Sequence, residues 1–149
     1  MESITITPYR RSDQVAVKKL ILAGLVEHWG FLDETKNPDL DDIAAFYAGG
    51  IFLVGRLGDR IVGTGALVPH SSDTAEIVRM SVAQELRQQG IGRRILQALL
   101  EQARAQGFRQ VILETTATWS EVVEFYLRCG FHITHYKDGD VYFALPITR

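Results

Sequence analysis

Apolar and polar residues alternate at the head of the chain, in SITIT, which predicts a first strand over Ser3–Pro8. Behind Ser12, a natural helix cap, Val15, Leu20, Ile21, Leu25 and Trp29 recur at intervals that predict a helix with those five side chains towards the core. GFLDETKNPDL (30–40) reads as a loop. Asp41–Ala48 reads as a short helix with acids in its first turn and Gly49-Gly50 as its stop. IFLVGR and RIVGTGALV predict strands joined by a hairpin turn at Leu57-Gly58-Asp59, and TAEIVRMSVA another strand after the turn at His70–Asp73. A strongly periodic helix then starts behind two glycines and ends at Gly107. QVILETT (110–116) is a strand, and Trp119–Arg128 a helix stopped by Gly130. FHITHY and VYFALPI form a last hairpin around Asp138-Gly139-Asp140. The order β-α-α-β-β-β-α-β-α-β-β predicts an α/β (α+β) fold, a mixed sheet with helices on its faces.

Composition narrows the function classes. The chain has 149 residues, which predicts a single domain over 1–149. Hydrophobic residues make up 46%, enough for a packed core, and there is no repeat, low-complexity segment or linker. The net charge of -2 argues against bulk attraction to nucleic acid or an anionic membrane. No apolar run is long enough to span a bilayer, and MESITITPYRR lacks the apolar stretch of a signal peptide, so a cytoplasmic location is expected. The one cysteine, Cys129, allows neither an internal disulfide nor a cysteine-based metal site, and no metal is expected.

The candidate chemistry sits in ELRQQGIGRRILQALLEQA, residues 85–103. Glycine weakens helices, yet Gly90 and Gly92 stand at the mouth of the most regular one. A helix N-terminus leaves four N–H groups unpaired and carries a positive partial charge. Residues 88–92 curled into a first turn bring several N–H groups to one point, and glycine removes the Cβ atoms that would hold a bulky anion away. Arg87, Arg93 and Arg94 add full charges. This is a recipe for a phosphate or pyrophosphate site. A flexible loop before an ordinary helix is the plainer alternative. A Walker loop is excluded because Arg93-Arg94 follow Gly92, and a dinucleotide fingerprint because Ile95 stands where its third glycine belongs.

VRMSVAQELRQQGIGRRILQALLEQARAQGF resembles the acyl-CoA motif of the GNAT (Gcn5-related) N-acetyltransferases, Arg/Gln-x-x-Gly-x-Gly/Ala at a helix start. Arg87, Gln88, Gln89, Gly90, Ile91 and Gly92 match it, and EFYLRCGF (124–131) is similar to the family's Tyr-x-x-x-Gly-Phe. One departure stands out: the family often has Asn seven residues before the tyrosine, where this chain has Trp119. The resemblance implies a mostly antiparallel sheet splayed at an acyl-CoA site, acetyl-CoA as cosubstrate and an amine acceptor, small molecule or peptide. It implies phosphate contacts at residues 87–93, Arg93 included, and pairing of the pantetheine arm with the backbone of Met80, Ser81 and Val82. The N–H of Val82 or a neighbour would polarise the acetyl carbonyl. Tyr126 matches the family's proton donor; without the resemblance it reads as a core aromatic.

The base is less determined. Some family members carry a catalytic glutamate where Glu76 stands, and strand alternation would put Glu76, Val78, Met80 and Val82 on one face. His70, His28 or a water chain are alternatives. Glu27, Asp33, Glu34, Asp39, Asp41 and Asp42 suggest an acidic rim drawing in a cationic amine, with His28, Trp29, Phe31 and Tyr47 as an apolar wall; Asp39, Asp41 and Asp42 also suit helix-start duties. The final hairpin offers an edge through which two copies can pair. A non-catalytic acyl-CoA module is the alternative function.

Overall fold

The computed structural model describes residues 3–30, 32–33 and 36–147. Its elements follow the expected order: β1 (Ile4–Pro8), α1 (Gln14–Trp29), α2 (Ile43–Phe46), β2 (Ile51–Leu57), β3 (Arg60–Pro69), β4 (Thr74–Val82), α3 (Ile91–Ala105), β5 (Gln110–Thr116), α4 (Ser120–Arg128), β6 (His132–Lys137) and β7 (Asp140–Pro146). The strands form one sheet ordered β1-β2-β3-β4-β5-β7-β6. Among the described residues only the β4–β5 pairing is parallel, as an α-helical crossover between neighbouring strands requires.

Each face of the sheet carries one core. α3 and α4 pack on one face through Ile95, Leu96, Leu99 and Tyr126 against Ile77, Val111, Leu113, Val141 and Phe143. α3 sits close because β3 offers glycine beneath it: a Cβ on Gly65 would lie 2.8 Å from Ile95 and 3.0 Å from Leu99. α1 and α2 cover the other face with Val17, Ile21, Leu40 and Ile43 over Phe52, Val54, Ala66 and Val78.

The start of α1 departs from the sequence reading. Ser12 lies inside a one-turn 3-10 helix, Arg11–Asp13, and does not cap. Asp13 takes the cap position, but its carboxylate accepts from the Arg10 N–H at 2.8 Å and pairs with Arg56 of β2 at 2.6 and 3.0 Å. The buried stripe of α1 is also shifted. Val17 and Ile21 are buried, whereas Val15 is 79% and Trp29 50% exposed. Apolar residues ring this helix nearly evenly, so its periodicity does not select a face. The predicted loop before α2 also contains a 3-10 turn, Pro38–Asp41, and α2 starts at Ile43 rather than Asp41, capped by Asp42, which accepts from the Ala45 N–H at 3.1 Å.

Candidate active site

β4 and β5 pair only over Thr74–Glu76 and Gln110–Ile112. Beyond that crotch the strands part. A cavity of about 990 Å³ fills the gap, a volume within the usual range for ligand sites. It runs from the N-terminus of α3 to Tyr126 and is walled by Met80, Ser81 and Val82 on one side and Glu114, Thr115 and Thr116 on the other.

A β-bulge opens this splay. β3 pairs Thr64 with Ser81 and Ala66 with Val78, so Arg79 and Met80 together oppose the single residue Gly65. Arg79 takes φ +56°, a left-handed conformation that costs a residue bearing a Cβ about 1–2 kcal/mol. The bulge overturns the strand alternation read from the sequence. Ile77, Met80 and Val82 belong to the core under α3, while Val78 packs under α1 and Ser81 faces Gly24 of α1. Glu76 therefore lies on the α1 face, opposite Val82, because the inserted residue reverses the pleat.

The bulge also orients the backbone. Thr64, fully buried, donates its hydroxyl to the Arg79 carbonyl at 2.8 Å on the β3 side. The peptide is trans and planar, so the Met80 N–H points away from that contact.

At the cavity mouth the two glycines have separate duties. Gly90 caps α3 at φ +86°, a conformation glycine adopts freely. Gly92 has an ordinary backbone, and a Cβ there would meet Phe125 and Val82 at 3.5 Å, an ordinary contact. Its bare Cα instead leaves the cavity beside the helix start open. The first main-chain bond of the helix runs from the Arg94 N–H to the Gly90 carbonyl at 3.0 Å, so the N–H groups of Ile91, Gly92 and Arg93 precede the hydrogen-bonded ladder. Arg87, Gln88, Gly90, Ile91, Gly92 and Arg93 line the cavity; Gln89 is exposed and does not. Arg87 is already engaged, pairing with Glu27 of α1 and donating to the Val82 carbonyl at 3.3 Å. The mouth thus offers glycine-flanked amides and arginine side chains, a donor set that fits the pyrophosphate of a coenzyme A thioester.

Tyr126 lines the inner cavity, its ring set edge-on to Phe125 and Phe131 at 5.1 and 5.8 Å. Burial pushes its phenol up and keeps it protonated. Cys129 lines the cavity too; burial pushes its thiol up, against the smaller opposing pull of Arg93 and Arg128.

Glu76 stands at the crotch and is not among the cavity's lining residues, which do include Glu114. Burial raises the Glu76 carboxyl, the Glu114 charge raises it further, and His70, 4.0 Å away, opposes both. His28 also lines the cavity, stacked on Trp119 at 4.3 Å, with Trp29 edge-on to Trp119 at 5.3 Å. The end of α1 is thereby tied to the β5–α4 turn across the mouth.

Four acids of the expected rim have partners within the chain. Asp39 is buried against Arg79, Asp41 pairs with Lys18, Asp42 caps α2 and Glu27 holds Arg87. Asp33 too has a partner, and Glu34 lies outside the described residues, as does Phe31 of the expected wall. Tyr47 is no cavity wall: it is buried against Phe52 at 5.1 Å, with its hydroxyl on Asp39. Among the described residues, no three His, Cys, Asp or Glu side chains are grouped to hold a metal ion. No helix among them is long and apolar enough to cross a membrane.

Comparison with known proteins agrees with this geometry. Residues 18–131 match the family model described as the acetyltransferase (GNAT) family. The chain is 31% identical to the uncharacterized N-acetyltransferase YjgM of Escherichia coli over 108 residues, 69% of this chain and 65% of that protein. It is 33% identical to N-acetyltransferase 8F1 of Rattus norvegicus over 105 residues, 66% of this chain and 48% of that protein. The matched regions thus span about half to two thirds of these relatives. Among solved structures, a GNAT acetyltransferase of Staphylococcus aureus superposes with a TM-score of 0.88 at 22% identity, covering 97% of this chain and 99% of that one. The yncA protein of Salmonella typhimurium, solved with acetyl-CoA, superposes at 0.79 with 18% identity, covering 96% and 93%. With the splayed strands, the glycine-flanked helix start and the matched family model in agreement, the chain belongs to the GNAT acetyltransferase family.

Proposed function

We propose that this protein transfers the acetyl group of acetyl-CoA to a primary amine, small molecule or peptide, by direct attack in a ternary complex. The observation that carries the reading is the β4–β5 splay, which joins the helix-start amides of α3 to a protonated Tyr126 through one cavity.

The residues divide the work as follows. Arg87, Gln88 and residues 90–93 hold the pyrophosphate, and the edges of β4 and β5 receive the pantetheine arm as an inserted strand. Met80, rather than Val82, supplies the N–H that stabilises the oxyanion, because the Thr64 contact turns it away from β3. The amine enters from the α1 face. Its nitrogen forms a bond to the acetyl carbon and loses a proton towards Glu76, directly or through water. The C–S bond then breaks. The sulfur takes the Tyr126 proton, and Tyr126 recovers one from solvent. The net products are the amide and the free thiol of coenzyme A. A carboxylate raised by burial and by Glu114 is a better proton acceptor than a surface glutamate.

The test is a panel of amines incubated with acetyl-CoA, followed by thiol release and by mass spectrometry of the acceptor. A mass gain of one acetyl group with matching thiol is expected. Tight coenzyme A binding with no turnover across all amine classes would instead favour a non-catalytic acyl-CoA module.

A further inference from the structure

Arg79 holds a strained conformation at the centre of the catalytic strand, and both its backbone and its side chain are fixed from outside that strand. Thr64 takes the carbonyl. The guanidinium grips Asp39 with two bonds, Nε to Oδ2 at 2.9 Å and Nη2 to Oδ1 at 2.7 Å, and Nη2 also donates to Asn37 Oδ1 at 3.0 Å. Tyr47 donates its hydroxyl to Asp39 Oδ2 at 2.5 Å. Asp39 and Tyr47 are each only 7% exposed. Such strain persists only where the surroundings over-determine it. Here the surroundings are the segment between α1 and α2 together with α2's own end, which lie on the face from which the amine enters in the reading above.

We propose that Arg79 is a positioning residue for acyl transfer: Asp39, set by Tyr47, holds its guanidinium so that the bulge keeps the Met80 N–H aimed at the thioester oxygen. The proposal rests on the acetyltransferase reading and extends it in one respect. It makes the segment 37–47 part of the thioester-polarising machinery, although none of its residues lines the cavity. An ordinary structural ion pair would tie a loop down and nothing more. This one ends on the residue whose carbonyl and successor N–H are the two halves of the critical peptide. A rotation of that peptide would leave the phosphate end of the site untouched and misdirect only the oxyanion donor.

The test uses Arg79→Lys and Asp39→Asn. Lysine keeps the charge but loses the planar two-pronged grip. Asparagine keeps the shape but loses the charge. The first readout needs no amine: the infrared stretch of 13C-labelled acetyl-CoA bound to each protein. In the wild type the carbonyl band should shift to lower frequency on binding; in both variants most of that shift should disappear. The second readout is turnover with an accepted amine. kcat should fall about 10²-fold, as for a misplaced or lost oxyanion donor, while the Kd for coenzyme A, which has no acetyl oxygen, stays within about threefold of wild type. If Asp39→Asn does not fold, Arg79→Lys carries the test, since it leaves no buried carboxylate without a cation. A wild-type band shift that survives in the folded variants, or a kcat that survives, would overturn the clamp. Absence of any shift in the wild type would instead overturn the placement of the thioester against Met80.

Discussion

Gly92 and Tyr126 mark the two ends of the cavity, and each can be changed without disturbing the core. A side chain at Gly92 meets only ordinary contacts, and an acid is tolerated near a helix N-terminus. Gly92→Asp should therefore keep the wild-type circular dichroism spectrum yet lose coenzyme A affinity in calorimetry, because its carboxylate would stand where the pyrophosphate binds. Unchanged affinity would remove the phosphate site from α3. Tyr126→Phe keeps the ring among Phe125, Phe131 and Phe143 and removes only the hydroxyl. It should lower kcat by about 10²–10⁴-fold with acetyl-CoA affinity nearly unchanged. If kcat does not move when chemistry is rate-limiting, Tyr126 is a packing residue.

At the scale of elements, a buried ion pair ties the start of α1 to the sheet. Arg56 of β2 reaches Asp13 with two bonds and Thr7 of β1 with a third at 2.8 Å, so one guanidinium ties three elements together. Burial alone would raise the Asp13 carboxyl, but the hydrogen bonds from Arg56 and Arg10 outweigh it and hold the carboxyl low. Arg56→Met should cost about 1–3 kcal/mol in denaturant unfolding, the usual penalty for a buried polar group left without its partner. The lower end is expected, because 15% of the Arg56 side chain still reaches solvent. Coenzyme A affinity should not follow, since neither residue lines the cavity. The far edge of the sheet is built differently. β6 carries a register break between Ile133 and His135 and ends on Lys137, features that blunt an edge strand against pairing with a second copy.

Across the whole molecule, the buried and half-buried carboxylates give stability opposite pH dependences. Asp13 and Asp39 are both held low: burial would raise them, and their arginine partners outweigh it. Their contribution is present above the ordinary carboxylate range, near pH 4, and is lost as pH falls through their depressed folded values. Thermal melts should therefore show Tm dropping steeply below about pH 4. Arg56→Met and Asp39→Asn should flatten that drop. Glu76 has the opposite sign. Its folded carboxyl is raised, so its contribution is present below the ordinary carboxylate range and is lost as pH rises through the raised value. Glu76→Gln should accordingly raise Tm at neutral pH while lowering kcat, the exchange of stability for activity expected of a group that works by being destabilised. A Tm unchanged at every pH would show that burial and Glu114 do not press on this carboxyl.

Much of this architecture is legible in local sequence. Strand alternation, the turns at Gly58 and Gly139, the stop at Gly130 and the glycine-flanked start of α3 each depend on residues close together in the chain, and their order alone predicted the sheet and its helices. The motifs around Tyr126 and the helix start are short as well, and the structure brings both to one cavity. What local sequence left open depends on distant residues meeting. The bulge at Arg79 exists because β3 offers one residue where β4 offers two, and that miscount across strands reverses the faces of Glu76 and Val82. Asp39 lies 40 residues from Arg79 and Glu27 lies 60 from Arg87, so acids that resemble a substrate-attracting rim are consumed as internal partners. α1, apolar on nearly every side, acquires a buried stripe only when the sheet selects Val17 and Ile21. Periodicity and turn chemistry act over a few residues and are written in the chain; register, bulges and charge pairing are properties of the assembled sheet, and tertiary structure alone decides them.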